Sequence, residues 1–561
     1  MVKMKIKICD VIKDDYEMTG DAVREISGVV YDSRMVRGGE LFVAVVGEKL
    51  DGRSFIEDAI QKGAVAVMYE HKGPLSADPR VLMEKKYPGV TWVRVADIRD
   101  ALALGAHRFY GRSSEEIVVA GITGTNGKTT TSYLVKSILE RWGEEVGLIG
   151  TINYLIKDAV YEAPHTTPEA PDFQYLLREM REAGCGFVIS EVSSHALALK
   201  RADYTRFRVA VFTNLTRDHL DFHLTMEEYF KAKERLFTEL LTENGIAVIN
   251  IDDTHGIQLA GILRDRRPSV KVITYALDNK EADVTASDIE TSFGGTSFKI
   301  RLRETETEIM SQMVGQINVY NTLAAFSTAL ALNVPIKVIK EGIAMAGLVK
   351  GRFEKVDMGQ DFLAVVDYAH TEDALERLLM TARQLLEAYR FIGKTEKIMK
   401  EKRRQFAIPG RQEQEKEKGK IITVLGCGGN RDKGKRSKMG EIASRLSDFV
   451  IITSDNPRNE DPKTIIKDIE KGIKGDSYIV IPDRNVAISM AVELASPGDI
   501  VLVAGKGHEE YQEMQGIRHS FSDRTALENA IRRTISRPAF GGGSTFAGLY
   551  THQQNKRECS C

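Results

Sequence analysis

Residues 123–131 of the 561-residue chain, Thr-Gly-Thr-Asn-Gly-Lys-Thr-Thr-Thr, are of types that suit phosphate binding. They follow a run of β-branched residues and precede a helical pattern, which predicts a strand, a loop and a helix. Glycines let backbone N–H groups point at a phosphate, and a helix N-terminus adds a favourable dipole. Lys128 would reach the outer phosphates of a nucleotide, and the Thr129 hydroxyl would bind Mg²⁺. The strict P-loop pattern is not met, because Ile122 occupies its first glycine position.

A glycine-containing turn with a surface lysine is the alternative interpretation, and the strand–loop–helix context disfavours it. Nucleotide binding alone does not identify a reaction, since kinases, motors, GTPases and ligases all use such loops. The residues that decide the reaction must lie elsewhere in the sequence.

Acidic and imidazole side chains follow two other predicted strands. Glu191 ends one short apolar run, and Asp218, His219 and His223 follow the run 209–213. Ligands bind at the carboxyl ends of parallel strands, so these groups should lie near the phosphate loop. Glu191 is a candidate Mg²⁺ ligand, whereas an imidazole ligand would be unusual for Mg²⁺. A lone histidine more often has a structural role, but the clustering at this edge favours a functional one.

The elements that must position these groups are those of an α/β protein. Continuous β-branched runs fit strands buried on both faces, and their alternation with helical patterns predicts βαβ units. We expect an N-terminal α/β domain (1–110), a central P-loop ATPase-type parallel sheet (111–345) and a C-terminal Rossmann-like α/β domain (346–535). A dense run of mixed charge, 394–420, is expected to be a solvated insertion, and 536–561 a flexible tail.

Composition excludes several classes of protein. The chain has 78 Lys and Arg residues against 80 Asp and Glu residues, a net charge of −2 that argues against a nucleic-acid partner. No apolar run approaches the ~18 residues of a membrane helix, so no membrane insertion is expected. Its 5 cysteines are too few and too scattered for a disulfide scaffold or a zinc site. With no apolar signal region near the N-terminus, a cytoplasmic location is expected.

Further motifs make the chain resemble a known family. They are the strings Gly124-Thr-Asn-Gly-Lys-Thr-Thr130, Thr166-Thr-Pro-Glu-Ala-Pro171, Glu191-Val-Ser-Ser-His195, Asp367-Tyr-Ala-His370, Asp455-Asn-Pro-Arg458 and Gly505-Lys-Gly-His-Glu509, with residues 214–223 and 426–436. Over about residues 20–530, apart from the charged run, the chain resembles the Mur ligases, ATP-dependent amide-forming enzymes of peptidoglycan precursor synthesis. Within them it is most similar to members that add a diamino acid to UDP-N-acetylmuramoyl-L-alanyl-D-glutamate.

This resemblance implies roles for residues of the central and third domains. The catalytic set would be Lys128, Glu191, His219, Lys233 and His370. The ATP-binding set would be Gly124, Thr125, Asn126, Gly127, Lys128, Thr129, Thr130, Asn321, Arg352 and Asp367. Two Mg²⁺ ions would be bound by Thr129, Glu191, His219 and Lys233. Lys233 matches a lysine that CO₂ carbamylates in these ligases, which turns a cation into an anion, although on its own it would be a solvated helix lysine.

The resemblance also implies two further substrate sites. The first domain would bind UDP, and the UDP-sugar-dipeptide set would be Ser33, Thr166, Thr167, Ser193 and Arg201. The set that binds meso-diaminopimelate would be Arg431, Asp455, Asn456, Pro457, Arg458, Gly505 and Glu509. Diaminopimelate has a distal carboxylate that lysine lacks, and Arg431 and Arg458 can pair with it through planar, forked donors. On its own, Arg458 would be a surface arginine after a proline turn.

The reaction implied is transfer of the ATP γ-phosphoryl group to a substrate carboxylate, followed by attack of an amine on the acyl phosphate. Addition of lysine or another diamino acid, and a regulatory protein derived from a decayed ligase, remain as alternatives. We expect a monomer. We also expect the charged run not to line the active site, because it precedes the strand that starts at residue 421 and so lies at its amino end.

Overall fold

The computed structural model describes residues 4–13, 16–47, 50–71, 81–292, 294–387 and 419–536. Three α/β units follow one another along the chain, each built on its own sheet. The predicted charged insertion and tail lie outside the described residues, apart from Gly419, Lys420 and Ser536. Within those residues, no helix has both the length and the apolar character needed to cross a membrane.

The first unit contains a five-stranded sheet in the order β2-β7-β6-β5-β4, in which only β2 is antiparallel to its neighbour. A separate antiparallel pair joins β1 and β3. The strands are β1 (Ile6–Lys7), β2 (Glu17–Thr19), β3 (Glu25–Ile26), β4 (Val29–Val30), β5 (Leu41–Ala44), β6 (Ala66–Glu70) and β7 (Thr91–Val95). The helices are α1 (Ile8–Val11), α2 (Ile56–Gln61), α3 (Val81–Lys86) and α4 (Ile98–Phe109).

The central unit contains an eleven-stranded sheet in the order β11-β10-β9-β12-β8-β13-β14-β15-β16-β17-β18. Its strands are β8 (Val118–Thr123), β9 (Val146–Ile149), β10 (Asn153–Ile156), β11 (Ala159–Glu162), β12 (Phe187–Glu191), β13 (Phe207–Phe212), β14 (Leu241–Asn250), β15 (Lys271–Ala276), β16 (Val284–Ser292), β17 (Gly295–Leu302) and β18 (Thr305–Ser311). Its helices are α5 (Lys128–Arg141), α6 (Ala170–Glu182), α7 (Ser194–Ala198), α8 (Leu220–His223), α9 (Met226–Arg235), α10 (Thr254–Arg266), α11 (Gln316–Ala331) and α12 (Ile336–Met345).

The interior of this central sheet is parallel from β9 to β16, and both of its edges are antiparallel hairpins. The continuous apolar runs predict the parallel interior of the sheet but not its edges. In β17, Phe298 and Ile300 are buried whereas Lys299 and Arg301 between and beside them are exposed. A strand covered on one face alternates in this way and lacks the continuous apolar run that marks a parallel strand.

The third unit contains a six-stranded sheet in the order β19-β20-β24-β21-β22-β23, parallel except for β19, followed by the hairpin β25–β26. The strands are β19 (Glu354–Val356), β20 (Leu363–Asp367), β21 (Ile421–Leu425), β22 (Phe449–Ile452), β23 (Tyr478–Val480), β24 (Ile500–Ala504), β25 (Tyr511–Met514) and β26 (Ile517–Ser520). The helices are α13 (372–387, to the end of that described segment), α14 (Gly434–Leu446), α15 (Pro462–Glu470), α16 (Arg484–Leu494) and α17 (Asp523–Ile535).

Candidate active site

The phosphate loop, residues 124–127, connects β8 to α5. Gly124 and Gly127 have φ angles of +146° and +90°, which L-residues with a Cβ rarely adopt. A Cβ on Gly124 would lie 1.9 Å from Oγ1 of Thr213, and one on Gly127 would lie 2.4 Å from Oδ1 of Asn321. Both the backbone conformation and the surrounding space therefore require glycine at these positions.

The segment after β13 holds the phosphate loop in shape. Asn214 accepts the N–H of Thr125 with its carbonyl oxygen and the N–H of Asn126 with Oδ1, each at 2.9 Å. The Thr213 hydroxyl donates to the Asn126 carbonyl at 2.7 Å, and the Thr125 hydroxyl lies 3.1 Å from that of Tyr229. The neighbouring strand thus fixes the loop, a role for Thr213 and Asn214 that the sequence analysis did not assign.

Glu191 lies beside this loop at the end of β12 and is fully buried. Its carboxylate accepts the hydroxyl of Thr129 and both the N–H and the hydroxyl of Thr151, all at 2.9 Å. The expected proximity of Glu191 to the phosphate loop is therefore observed. Lys128 folds over the loop, since its Nζ donates to the carbonyls of Gly124 and Thr125 at 2.9 Å each.

Lys233 lies on α9 with 1% of its surface exposed. Its Nζ donates to the carbonyl of Gly124 at 2.9 Å and lies 4.5 Å from the centre of the Tyr229 ring. Burial, together with the charge of Lys128, lowers the pKa of Lys233 well below its ordinary value. Lys231, on the same helix, is 54% exposed at its side chain. Lys233 is thus not the solvated helix lysine that its position alone would suggest.

Three histidines form a cluster next to Tyr229. The ring centre of His195 lies 4.8 Å from that of His219 and 5.4 Å from that of His223. His219 Nε2 is 3.3 Å from a carboxylate oxygen of Asp218, and His223 Nε2 is 2.9 Å from the Ser194 hydroxyl. Removal from water lowers the pKa of His219, and the nearby His195 acts in the same direction. A neutral imidazole is the form that can bind a metal ion.

Arg352 reaches the central domain from the third one. Its Nη2 donates to the Thr129 hydroxyl at 3.3 Å, and its guanidinium carbon lies 4.6 Å above the centre of the Tyr368 ring. The buried carboxylate of Asp367 accepts the N–H groups of Phe353 and Ala369 at 2.6 and 2.7 Å. Asp367 therefore supports the backbone next to Arg352. Burial raises the pKa of its carboxyl group, and the charge of Arg352 opposes that rise.

A second contact crosses from the phosphate loop to α13. Asn126 Nδ2 donates to Oδ2 of Asp373 at 2.9 Å, and Oδ1 of Asp373 accepts Nε of Arg377 at 2.8 Å. His370 precedes this helix, with Nδ1 at 2.9 Å from the carbonyl of Tyr368. Burial lowers the pKa of His370 to about 4, and the charge of nearby Lys435 adds to the effect. The third domain thus contacts the phosphate loop directly.

Asn321, which the resemblance assigns to the ATP-binding set near adenine, packs against the phosphate loop. It is buried in α11, where its Nδ2 donates to Oδ1 of Asn318 at 3.0 Å and its Oδ1 faces Gly127. A contact with adenine stays a prediction.

Four of the five residues predicted to bind the UDP-sugar-dipeptide lie together beside Glu191. The Thr167 hydroxyl donates to the Glu191 carbonyl at 2.8 Å and accepts the N–H of Ser193 at 3.1 Å. Arg201 Nη1 donates to the Thr167 carbonyl at 3.2 Å, and the Thr166 hydroxyl lies 3.1 Å from that of Thr151, which donates to the Glu191 carboxylate. The fifth, Ser33, begins a 3₁₀ turn after β4 of the first domain.

Glu169 connects this group to the first domain. Its carboxylate lies 2.8 Å from Nη2 of Arg201 and 3.5 Å from Nη1 of Arg99 on α4. Nearby, the hydroxyl of Tyr31, two residues before Ser33, donates to Asp172 at 2.9 Å. Within the described residues, Nε of Arg201 is buried without a hydrogen-bond partner. An anion at this junction would meet a guanidinium with an unused donor.

The two segments predicted to bind diaminopimelate meet at the carboxyl ends of β22 and β24. Asn456 Nδ2 donates to Oε2 of Glu509 at 2.7 Å. Gly505 has a φ of +119°, and a Cβ there would lie 2.7 Å from Oδ2 of Asp455. Burial raises the pKa of Glu509, and the cation of Lys506 opposes this. Lys506, which the sequence analysis did not assign, therefore lies within this pocket.

The two predicted arginines flank a glycine of the loop after β21. A Cβ built on Gly428 would lie 2.9 Å from Nη1 of Arg458 and 3.9 Å from Cγ of Arg431. Arg458 Nη1 donates to the carbonyl of Gly429 at 2.8 Å, and its Nε lies 3.6 Å from Glu513. Arg431 is exposed. The carbonyl oxygen of Pro457, just before Arg458, lies so close to Gly429 that a Cβ there would be only 2.0 Å from it.

A buried ion pair contacts the backbone at the carboxyl ends of β22 and β24. Arg484 and Asp523 are both fully buried and form two hydrogen bonds of 2.7 Å. Arg484 also donates to the carbonyls of Ala504 and Ser454, at 2.9 and 3.4 Å. Its guanidinium therefore links the ends of the two strands that present the predicted amino-acid site.

Three family domains match along the chain: the catalytic domain of the Mur ligase family at residues 25–110, the Mur ligase middle domain at 122–329 and the Mur ligase glutamate ligase domain at 407–507. The chain belongs to the Mur ligase family. As a Mur ligase it has the three-domain architecture expected from its sequence, whereas the boundaries at residues 110 and 345 stay predictions.

Relatives of this Mur ligase match most of its length. Proteins from Solibacter usitatus (42% identity, 91% of this chain and 94% of the relative) and Geobacter metallireducens (40%, 93% and 97%) are both named UDP-N-acetylmuramoyl-L-alanyl-D-glutamate–2,6-diaminopimelate ligase. A solved structure of a ligase with that name is 30% identical, covers 95% of this chain and 100% of its own, and has a TM-score of 0.63. MurF ligase from Thermotoga maritima in complex with ADP (19%, TM-score 0.55, 91% and 96%) shares the fold.

Proposed function

We propose that the protein joins meso-diaminopimelate to the D-glutamyl carboxylate of UDP-N-acetylmuramoyl-L-alanyl-D-glutamate, with conversion of ATP to ADP and phosphate, in peptidoglycan precursor synthesis. The observation that carries this proposal is the convergence on Thr129 at the start of α5. Glu191 of the central domain and Arg352 of the third domain both contact its hydroxyl, at 2.9 and 3.3 Å. Groups suited to a metal ion and to phosphate charge thus meet at one point.

The residues of the chain would act mainly by positioning and by neutralising charge. Lys128, bonded here to two loop carbonyls, supplies a cation that can turn to the outer phosphates of ATP. Arg352 supplies a second cation across the domain boundary. The γ-phosphoryl group passes to the substrate carboxylate, and the amine then attacks the acyl phosphate and expels phosphate. Contacts from α13 to the phosphate loop would help to exclude water from this intermediate.

The residues fit Mg²⁺, although the described part of the chain contains no group of three or more His, Cys, Asp and Glu side chains that could hold a metal alone. Thr129 and Glu191 offer oxygen donors next to the phosphate loop, and Mg²⁺ commonly takes one or two protein oxygens together with phosphates and waters. Bound there, Mg²⁺ would neutralise charge on the phosphates. We assign the first Mg²⁺ site to Thr129 and Glu191, and a second to His219 and carbamylated Lys233.

Carbamylation of Lys233 is supported by its environment. CO₂ reacts with a neutral amine, and burial beside Lys128 favours the neutral form of Lys233. The product is a carbamate, formed with release of one proton, and its two oxygens carry a negative charge at the end of a buried side chain adjacent to the phosphate loop. The present hydrogen bond from the Lys233 amine to the Gly124 carbonyl would be lost, and the carbamate oxygens would be available as metal ligands.

The amino-acid choice is supported by the residues at the carboxyl ends of β22 and β24. Glu509 offers a carboxylate to a distal ammonium, while Arg458 and Arg431 offer guanidinium groups to a distal carboxylate. Lysine has the ammonium but not the carboxylate, so the two arginines would have no partner in it.

We also propose that the protein acts as a monomer in the cytoplasm. In keeping with a reducing compartment, the cysteines of the described residues, Cys9, Cys185 and Cys427, form no disulfide.

The proposal is tested by phosphate release from ATP with UDP-N-acetylmuramoyl-L-alanyl-D-glutamate and each candidate amino acid. We expect release with meso-diaminopimelate and far less with lysine. Release with lysine but not diaminopimelate would contradict the specificity, and no release with any amino acid would contradict the ligase activity itself.

A further inference from the structure

Lys506 is buried between the two segments of the predicted amino-acid site. It follows β24 closely, and its side chain is 0% exposed. Its Nζ lies 3.0 Å from Oδ1 of Asn456, 3.0 Å from Oε2 of Glu509 and 3.8 Å from Oδ1 of Asp455. One ammonium group thus contacts a side chain from each of the positions 455, 456 and 509.

These contacts fix which way the Asn456 amide faces. An ammonium only donates hydrogen bonds, so the Asn456 atom next to Lys506 must be the oxygen. The backbone N–H of Glu513 donates to the same oxygen at 2.9 Å. The Nδ2 group must then point to Glu509, to which it donates at 2.7 Å. Lys506 and the backbone N–H of Glu513 therefore orient the Asn456 amide together, and Lys506 and Asn456 both hold the carboxylate of Glu509.

Lys506 also balances part of the negative charge of Asp455 and Glu509. Asp455 and Glu509 carry two negative charges near one lysine, which leaves a net charge of −1 among these three groups. The negative charge among these three groups attracts a ligand ammonium, whereas the guanidinium groups of Arg431 and Arg458 attract a ligand carboxylate. Without Lys506 the two carboxylates would repel each other in a buried site, and one of them would take up a proton.

Support of the strand ends does not require Lys506. Arg484, paired with Asp523, already bonds the carbonyls of Ser454 and Ala504. The contacts of Lys506 are instead to the side chains of Asp455, Asn456 and Glu509. This division assigns backbone support to Arg484 and side-chain arrangement to Lys506.

We infer that Lys506 is a positioning residue for amino-acid specificity, which holds Asn456 and Glu509 in place and keeps Glu509 available as a carboxylate for the distal ammonium of the incoming diamino acid. This inference rests on the proposed function and adds a residue that contacts the binding groups rather than the substrate.

The test is the Lys506→Met variant in the phosphate-release assay, with ATP, UDP-N-acetylmuramoyl-L-alanyl-D-glutamate and diaminopimelate each varied in turn. Loss of hydrogen bonds to charged groups predicts a rise of roughly tenfold or more in the KM for diaminopimelate. The other two KM values should stay unchanged and kcat should change much less. The Lys506→Arg variant, which keeps the charge, should recover part of the loss. Lys474→Met, at an exposed position of the same domain, is the matched control.

An unchanged KM for diaminopimelate, or equal rises in all three KM values, would overturn the inference. If Lys506→Met does not fold, Lys506→Arg decides: a several-fold rise confined to the KM for diaminopimelate supports a positioning role, and wild-type values for all three substrates would overturn the inference. A wild-type protein that releases phosphate with no amino acid would instead defeat the proposed function, and the inference with it.

Discussion

Lys231 and Lys233 lie two residues apart on one helix but have different chemistry. The exposed Lys231 pairs with Glu227 and Glu228, whereas the buried Lys233 bonds a carbonyl of the phosphate loop. Burial favours the neutral amine, which is the nucleophilic form of a lysine. The side chain that could react with CO₂ is thus selected by its place on the helix rather than by its residue type.

Replacement of Lys233 by Ala should reduce phosphate release roughly 100-fold or more, because the proposed carboxylate beside the phosphates is lost. Short carboxylic acids such as formate or acetate, which fit the space left by the side chain, should restore part of the activity. Lys231→Ala is the control and should keep wild-type activity. Activity of Lys233→Ala close to wild type, or the absence of rescue by any small carboxylate, would count against a carbamate at this position.

At the scale of single elements, α5 is flanked by two glycines of similar conformation in different surroundings. Gly127 precedes the helix with a φ of +90°, and a Cβ added to it would lie 2.4 Å from Oδ1 of Asn321. Gly143 follows the helix with a φ of +93°, and a Cβ added to it would have nothing within 4 Å. Substitution of each glycine by alanine therefore distinguishes the effect of backbone strain alone from the added effect of a side chain in the phosphate loop.

Gly127→Ala should raise the KM for ATP roughly tenfold or more, because the added methyl group must displace the loop or Asn321. Gly143→Ala should lower stability by about 1 kcal/mol through its positive φ alone and leave the KM for ATP unchanged. Steady-state kinetics and urea unfolding of both variants make the measurement. Equal kinetic effects of the two substitutions would show that the loop tolerates a side chain at residue 127.

The sequence predicted the elements that are buried on both faces and missed those that are not. The core strands β8, β12 and β13 appear as continuous apolar runs, and their order brings Thr123, Glu191 and Phe212 to one edge. The hairpins β10–β11 and β17–β18 could not be predicted in this way. In β11 every residue is exposed, so burial leaves no pattern in its sequence.

The same limit applies to the site. Residues in the family strings, such as Lys128 and Glu191, could be assigned from sequence. Asp373 could not, because an acidic residue in the first turn of a helix is common for reasons of helix stability alone. Lys506 lies within one of those strings, but only the structure shows that its side chain is buried against Glu509. Contacts between domains and orientations of buried side chains depend on three-dimensional packing.

At the scale of the whole molecule, His107 lies where the first two domains meet. Its ring centre is 6.2 Å from that of Tyr204, and its Nε2 is 3.9 Å from Glu115. Burial, with smaller contributions from Arg112 and Arg206, lowers the pKa of His107 below 6.5. Below pH 6.5, His107 takes up a proton in the unfolded chain more readily than in the folded chain. The neutral His107 side chain therefore makes its full contribution to the stability of the folded protein above about pH 6.5, and this contribution is lost as the pH falls through the folded pKa.

His107→Gln should weaken this pH dependence. Below about pH 6.5, the slope of the free energy of unfolding against pH should fall by up to about 1.4 kcal/mol per pH unit. Urea unfolding at several pH values measures it, and His519→Gln, on the exposed strand β26, is the control. An equal slope in wild type and His107→Gln would show that the folded protein protonates this residue normally.

The contact between Asn126 and Asp373 joins the phosphate loop to the third domain. Asp373→Ala removes it, so the third domain should be held less firmly over the nucleotide. We expect kcat/KM for ATP to fall about 5- to 30-fold, the loss expected for roughly 1 to 2 kcal/mol of hydrogen bonding. Small-angle X-ray scattering should also show a larger radius of gyration for the variant. Glu376→Ala, on the same helix as Asp373, removes a surface pair with Arg445 of α14 and is the control for both measurements. A variant with wild-type dimensions and kinetics would mean that the remaining contacts, such as Arg352 to Thr129, hold the domains together without Asp373.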